Sequence, residues 1–481
     1  MLQEVKLEDM LLARERRAFR QQKLIKVCGL PIISFTLNIP GPIKDSPLIR
    51  RSYTCGRKIL LSALATAGFT VVQKSEELSF TGCELMLAVE AKAQALKEIC
   101  VSIEERHPLG RLFDMDVIAP DGLKLDRELP RCCIICGAEG RYCASRRAHS
   151  VEELQNAVRE LMLSYFLTED SELISELITK ALIDEVKTTP KPGLVDLDNN
   201  GSHEDMSVST FIASAEALRP HWAKCFEIGV KGAKLPAEKI FESLRSEGLL
   251  AEADMYKATC GINTHKGAVF MFSCICGALG RLWDGCGLYR AERQIFDECR
   301  LISRAAVEAD FVAIRKKNSP ASVGENLYLS YGFTGIRGEV ASGMPGVHET
   351  SLPVYKKALA AGYSQNDAGA IALIHLIARG TDTNMVARGG IMLASEAAKS
   401  AENLLNQTPF PSMDEIRAMD EQFVEQNLSP GGCADLLAVT YFTTYLKSLK
   451  GEQEEINEES TIYRNRSARR EPVSGGHPSG L

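Results

Sequence analysis

Apolar positions in residues 150–186 recur at three-and-four spacing, which predicts one long amphipathic helix opened by a capping box, Ser150 with Glu153, and interrupted near 168–171. A shorter amphipathic helix is expected over residues 5–22, with Leu7, Leu11, Leu12 and Phe19 inward and Arg14, Arg16, Arg17 and Arg20 in solvent. Between the two the pattern changes. Residues 31–41 read as a buried strand ended by Pro40 and Gly41, a helix runs from Arg50 and Arg51 to about Thr66, strands follow at 68–76 and 83–90, a helix at 91–101 and a further strand within 110–122. After about residue 207 no strand alternation of useful length returns. Helices are expected at 207–219, 222–231, 236–247, 267–281, 290–315, 352–360, 367–379, 390–404, 413–425 and 433–449, with Asp367 capping one of them and Gly380 stopping it. The pattern therefore predicts a multi-domain chain, an α+β part followed by an all-α part, joined along the long helix.

One stretch fits neither period. Residues 188–206, TTPKPGLVDLDNNGSHEDM, break any ladder with prolines and glycines and crowd in polar side chains, among them Asp196 and His203. A surface linker has that composition, but a loop this long inside a compact domain is usually functional.

Length, composition and charge narrow the class. A chain of 481 residues, 45% hydrophobic and 25% charged, is an ordinary globular protein too long for one core. No apolar run reaches the length of a membrane span, and the charged N-terminus does not resemble a signal peptide, so the expected address is the cytoplasm. The fifteen cysteines read as reduced thiols with room for one metal site. Residues 1–150 hold 23 Lys and Arg against 18 Asp and Glu, while 151–481 hold 33 against 45. That asymmetry is too mild for nucleic acid and suits a first domain that meets an acidic protein or a phosphorylated ligand.

Candidate chemistry lies in the loops. In GPIKDS and the following turn, Lys44, Arg50 and Arg51 suit phosphates at a helix N-terminus or, equally, a solvated basic face. Asp114 and Asp116, two apart on a strand, share one face and can hold one divalent ion; their apolar neighbours make the strand a buried one. Cys133, Cys136, Cys143 and His149 have the ligand types of a structural zinc, with Cys132 confusing the register and packed thiols as the alternative. Farther on, THKG offers His265 and Lys266, GENLYLSYGFTGIRGEVASGMPGVHE offers Arg337 and Glu339, and DTNMVARGG offers Asp382 and Arg388. Glycines admit a phosphate close to the backbone, Lys and Arg supply counter-charge, and the carboxylates suit Mg2+ shared with a nucleotide triphosphate.

These motifs carry a double resemblance. Through SFTLNIPGPIKDS, the arginine pair, HPLGRLFDMDV and the run ending RRAHS, residues 1–165 resemble the apo-citrate lyase phosphoribosyl-dephospho-CoA transferase. Through TPKPGLVD, THKG, GIRGE, DTN with RGG, and SPGGCADLLA, residues 175–449 resemble the triphosphoribosyl-dephospho-CoA synthase, and the whole resembles the fused form; residues 451–481 read as a disordered tail. The resemblance implies a nucleotidyltransferase-type first domain, an all-helical second, and two reactions. ATP and 3′-dephospho-CoA would give the triphosphoribosyl adduct and adenine; the phosphoribosyl-dephospho-CoA group would then pass to a serine of the apo acyl carrier protein, the gamma subunit of citrate lyase, with release of pyrophosphate. On this view Lys266, Arg337 and Arg388 surround the phosphates, Asp196, Glu339 and Asp382 divide metal binding and base, and His203 and His265 move protons. Asp114 and Asp116 would hold Mg2+ for the second step, with Lys44, Arg50 and Arg51 on the triphosphate. The rival readings are the equivalent pathway of malonate decarboxylase and a non-catalytic nucleotide-binding regulator.

Overall fold

A computed structural model describes residues 3–451, apart from 129, 317–319, 321 and 381, together with residue 453. The expected tail, 451–481, lies almost wholly outside the described residues. The chain divides into two compact units, one built on residues up to Thr168 and the other on Glu169–Lys450.

The first unit is an antiparallel sheet with helices on both faces. Helix α1 (Leu7–Cys28) precedes β1 (Ile32–Leu37); α2 (Pro47–Thr66), β2 (Thr70–Ser79), β3 (Gly82–Glu90), α3 (Ala93–Arg106) and β4 (Phe113–Ile118) follow, and the strand order is β2-β3-β1-β4. Because side chains alternate across a strand, β1 sends Ile33 and Phe35 to one face and Ile32, Ser34 and Thr36 to the other. Phe35 stacks on Tyr53 of α2 at 5.3 Å and meets Phe113 edge-on at 5.6 Å, contacts worth about 0.5–1.5 kcal/mol each beyond area burial. On the opposite face Ile32, Met86, Ala88 and Ile118 close over Leu24 of α1.

Farther along that face the sheet is polar, and this reverses the expected orientation of α1. Arg17 pairs with Glu84 at 2.7 Å, Arg20 with Glu77 at 2.8 Å, and Gln21 donates to Ser34 Oγ at 3.0 Å. Leu7, Leu11, Leu12 and Phe19 are exposed instead. The nearly buried Glu84 needs cationic partners more than four apolar side chains need cover, since an uncompensated buried charge costs more than exposed leucine.

After α4 (Gly140–Arg146), helix α5 (Val151–Lys187) is continuous. Its expected break near 168–171 is absent because Asp170, in the polar stretch, is buried and accepts a hydrogen bond from Trp283 Nε1 at 2.7 Å. The Ser150–Glu153 capping box is present, with N–H to oxygen distances of 2.7 and 3.1 Å.

Among the described residues the second unit holds helices and no strand: α6 (Val208–Lys231), α7 (Phe241–Ala258), α8 (Lys266–Leu282), α9 (Glu292–Arg315), α10 (Val323–Tyr331), α11 (Gly335–Ala341), α12 (Leu352–Ala360), α13 (Gln365–Ala378), α14 (Thr383–Gln407), α15 (Met413–Glu425) and α16 (Gly431–Ser448). Helices α8, α13 and α16 are buried on nearly every side, as their apolar composition requires. α6 joins two expected helices straight through Pro220, where buried Trp222 and His221, bonded to Glu247 at 2.6 Å, hold the halves in line. Ser364, three residues before Asp367, is the cap of α13. The glycine-rich 324–349 stretch contains α10 and α11, and residues 383–390 are the start of α14, which kinks at Gly390.

Candidate active sites

The first part of the loop 188–206 is a buried wall, whereas residues 197–200 and 204–205 are exposed. Residues 190–196 are all inaccessible, and the backbone polar groups find side-chain partners: Thr189 N–H donates to Asn366 at 2.9 Å and Gly193 N–H to Asp420 at 2.8 Å. Asp196 lies inside this loop and accepts from the N–H groups of Lys191, Asp198 and Asn199 at 3.0, 2.8 and 3.0 Å. Its carboxylate shapes the loop and faces no open space. The Lys191 ammonium, buried too, contacts Glu185 Oε1 at 2.5 Å and the Glu185 carbonyl at 2.8 Å.

This loop bounds a cavity of about 540 Å³, a volume suited to a nucleotide-sized ligand. His203, His265, Lys266, Arg337 and Arg388 line it, with Glu185, Lys191, Glu252, Glu325 and Asp435. The first turns of α8, α14 and α16 also open on it through Lys266 and Gly267, Thr383 and Asn384, and Gly431. Helix N-termini present backbone N–H groups and the positive end of the dipole, so three converging on one space favour an anion.

Each charged group has a defined setting. Lys266 Nζ lies 3.0 Å from Glu252, and the half-exposed Arg337 lies 3.8 Å from Asp310. Arg388 donates to Asn427 Oδ1 at 2.7 Å and to the Ser202 carbonyl, and stands 3.4 Å from His203 Nδ1. Burial and that guanidinium push the His203 pKa down, so the ring is neutral at neutral pH. His265 is held at about 3, by burial first and Lys191 second. Thr264 donates to Ser214 Oγ at 2.7 Å, and Ser214 Oγ pairs in turn with His265 Nδ1, also at 2.7 Å. Its other ring nitrogen, Nε2, is a buried atom with no partner among the described residues. Asp435 accepts from Ala268 N–H at the start of α8, and burial with nearby Glu185 raises its pKa well above the carboxylate range. A Cβ on Gly267 would stand 2.0 Å from Asp435 Oδ2, so only glycine lets the carboxylate approach.

Two expected site residues lie elsewhere. Glu339 accepts from Gly346 N–H and lies 3.5 Å from Arg379; Asp382 caps α14, accepting from Asn384 and Met385 at 2.8 and 3.1 Å, and binds Cys433 N–H at 2.8 Å. Both border a smaller cavity of about 290 Å³.

In the sheet unit, Asp114 and Asp116 stand opposite Thr36 and Ser34 on one face of β4. They are partly exposed, contrary to the buried strand expected, because Phe113, Met115 and Val117 point the other way and only Ile118 shares their face. Arg131 approaches Asp114 at 3.2 Å and Lys124 approaches Asp116 at 2.6 Å. Lys44 donates to the Ile39 carbonyl; Arg50, nearly inaccessible, binds both oxygens of Asp45 at 2.6 and 2.8 Å and so holds the 41–46 turn; the Arg51 guanidinium lies 4.0 Å over the Phe166 ring. Cys133, Cys136, Cys143 and His149 come together, their ligand atoms all within 4.8 Å of one another.

Comparison with known proteins agrees with this division. Residues 5–165 match the family model described as apo-citrate lyase phosphoribosyl-dephospho-CoA transferase, and residues 171–454 match that of ATP:dephospho-CoA triphosphoribosyl transferase. "Protein CitXG" of Haemophilus influenzae is 34% identical over 91% of this chain and 96% of its own, and that of Leuconostoc mesenteroides subsp. cremoris 31% identical over 90% and 95%. The 2-(5′′-triphosphoribosyl)-3′-dephosphocoenzyme-A synthase of Haemophilus ducreyi is 39% identical over 64% of this chain and 98% of its own. The chain belongs to the fused CitXG family. It is a bifunctional transferase of the citrate lyase prosthetic group.

In this CitXG-type chain the helical cavity gathers the expected His203, His265, Lys266, Arg337 and Arg388, and adds Glu185, Lys191 and Glu252, which no sequence motif singles out. Asp435 is legible in SPGGCADLLA, but its close approach to Gly267 is not. Glu185 falls inside the apolar pattern of α5, and Lys191 between two prolines looks like a turn residue. On the sheet, Arg131 and Lys124 lie in a loop without periodicity. Among the described residues no helix is long and apolar enough to cross a membrane.

Proposed function

We propose that the helical unit condenses ATP with 3′-dephospho-CoA in the 540 Å³ cavity and expels adenine. The observation that carries this reading is the meeting of Lys266, Arg337 and Arg388 with three helix N-termini around a space that also holds a raised-pKa carboxylate, Asp435. The cations and N-termini hold the triphosphate. Asp435 takes the proton of the attacking ribose 2′-hydroxyl, and its raised pKa brings it nearer the operating pH of a general base. Displacement at C1′ passes through an oxocarbenium-like centre. Neutral His265 donates Nε2–H toward the departing base, and His203 keeps Arg388 and Ser429 in place. Asp196 and Asp382 have both oxygens engaged by backbone N–H groups, and Glu339 has one bound to Gly346 N–H beside Arg379; their role is to hold the loops.

The sheet unit would perform nucleotidyltransferase-type chemistry on a serine of the citrate lyase acyl carrier protein, its gamma subunit, in the cytoplasm. Asp114 and Asp116, partly exposed on one face, fit a Mg2+ ion, which prefers one or two carboxylates with phosphate and water. Bound there, the ion would offset charge on the departing pyrophosphate. Arg131 and Lys124, beside the pair, and Lys44 on the 41–46 turn would supply counter-charge to the phosphates, with Arg50 and Arg51 shaping the adjoining turn and helix.

Chromatography of products from ATP, Mg2+ and 3′-dephospho-CoA tests the first step. Stoichiometric adenine with a heavier dephospho-CoA adduct is expected; ADP alone would overturn the assignment. Added apo carrier protein should then release pyrophosphate, and not with Asp114→Ala.

A further inference from the structure

We propose that Cys133, Cys136, Cys143 and His149 bind one structural zinc ion that fixes the segment presenting Arg131 to Asp114. The two reactions proposed above do not need such a site.

The first argument is geometric. Cys136 Sγ lies 3.5 Å from Cys143 Sγ and 3.4 Å from His149 Nε2, and all four ligand atoms fall within 4.8 Å of one another. Zinc bonds of about 2.3 Å to sulfur and about 2.0 Å to nitrogen give tetrahedral edges of roughly 3.5–3.8 Å. The cluster is thus already near the size of the coordination shell. Four protein ligands leave no open position, which marks a structural site.

The second argument is the way the backbone delivers the ligands. Cys133 N–H donates to the Ala138 carbonyl at 2.6 Å and Gly137 N–H to the Cys133 carbonyl at 3.1 Å, closing a tight turn in which Gly137 takes a φ of 72° that a side chain would strain. Ala138 N–H also donates to Cys136 Sγ. Cys143 comes from α4, Arg147 reverses the chain with a φ of 49°, and Ala148 N–H returns to the Cys143 carbonyl at 3.0 Å. His149 is then set by the capping box immediately after it.

The third argument concerns what holds this segment together. Within residues 131–149 the only buried side chains are Cys133 and Cys143. A segment without an apolar core of its own cannot offset its ordering entropy by burial, and small metal sites supply that free energy instead. Cys132 lies beside the cluster, exposed and outside it, which resolves the register that the sequence leaves ambiguous.

The consequence reaches the sheet. Arg111 donates to the Cys132 carbonyl, Gly140 N–H to the Arg131 carbonyl at 2.8 Å, and the Arg131 guanidinium binds both Glu104 and, at 3.2 Å, Asp114. Glu104 in turn accepts from Met115 N–H at 2.7 Å, between the two aspartates. The ion would thereby position the carboxylate pair through Arg131.

The test uses the full-length chain purified without chelator or nickel resin. Elemental analysis should find one zinc per chain, retained in Cys132→Ser and lost in Cys136→Ser and Cys143→Ser. Transfer to the carrier protein should fall by roughly tenfold or more in the two zinc-free variants, while adenine release, read in the same samples, stays at the wild-type rate and reports an intact helical unit, and hydrogen exchange on the β1 and β3 amides reports the sheet. Cobalt added to the stripped wild type should give the visible bands of a tetrahedral thiolate site, a readout that stands even where a variant is insoluble. Wild-type protein free of zinc and without those bands, zinc kept in Cys136→Ser, or a Cys136–Cys143 disulfide in the freshly isolated protein would each overturn the assignment.

Discussion

Asp435 shows how far a single residue departs from what its letter in the sequence conveys. Burial, then Glu185, then Asp382 raise its pKa, whereas the same group in the unfolded chain titrates at about 3.9. Between those two values the folded chain binds the extra proton. Stability from this group is therefore fully present below the unfolded pKa and is lost as pH rises through the folded one. Asp435→Asn removes that loss and can still accept from Ala268 N–H. It should melt higher than wild type at neutral pH and no higher below about pH 4, while adenine release falls by about 10²–10⁴-fold. The wild-type rate should climb with pH along an acid limb displaced above the usual carboxylate range, and the residual rate of the variant should lack it. Unchanged turnover in Asp435→Asn would remove the base assignment. Asp196 and Asp382, expected in the site from their loops, satisfy loop and helix-end N–H groups. A capping aspartate and a catalytic one look alike in a string of letters, since both favour glycine-bearing loops at helix starts.

At the scale of elements, periodicity located most helices and strands, and failed where tertiary partners overrode it. α5 survives its polar stretch through Trp283, α6 survives Pro220, and α10 and α11 hide among glycines because neither exceeds nine residues. α1 is the instructive failure: its apolar stripe was legible, but which side faces the sheet depends on Glu84 and Glu77, which lie about 60 residues away in sequence. Two substitutions separate the orientations. Arg17→Ala with Arg20→Ala strands the nearly buried Glu84 and should destabilise the sheet unit by about 3–5 kcal/mol. Leu11→Glu, on the solvent side, should stay within about 0.5 kcal/mol. Hydrogen exchange on the amides of β1 and β3 reads both, confined to the unit concerned. Strong deprotection by Leu11→Glu, with none from the double arginine variant, would mean that the leucine stripe is the packed face.

At the scale of the molecule, each unit carries a site built from its own residues: the helical cavity draws only on positions 182–438, and the carboxylate pair with its cations on positions up to 131. Charge changes sign along the chain, with a net +5 over residues 1–150 and −12 over residues 151–481. That split was readable from composition, and a positive sheet unit suits an acidic carrier protein, whereas the details of both sites depended on chain segments meeting across hundreds of residues. Separate sites linked by one soluble product should be separable by mutation. Asp435→Asn should form no triphosphoribosyl adduct yet modify apo carrier protein when the adduct is supplied, and Asp114→Asn should accumulate the adduct and leave the carrier protein unmodified. An equimolar mixture of the two variants, given ATP and 3′-dephospho-CoA, should restore carrier-protein modification, read as a mass increase of the intact protein. The restored rate should rise with the concentration of the Asp114→Asn variant, because the adduct must leave one molecule and enter another. A mixture that releases adenine but never modifies the carrier protein would mean instead that the adduct passes only within one chain, and fusion would then be a requirement of the second reaction.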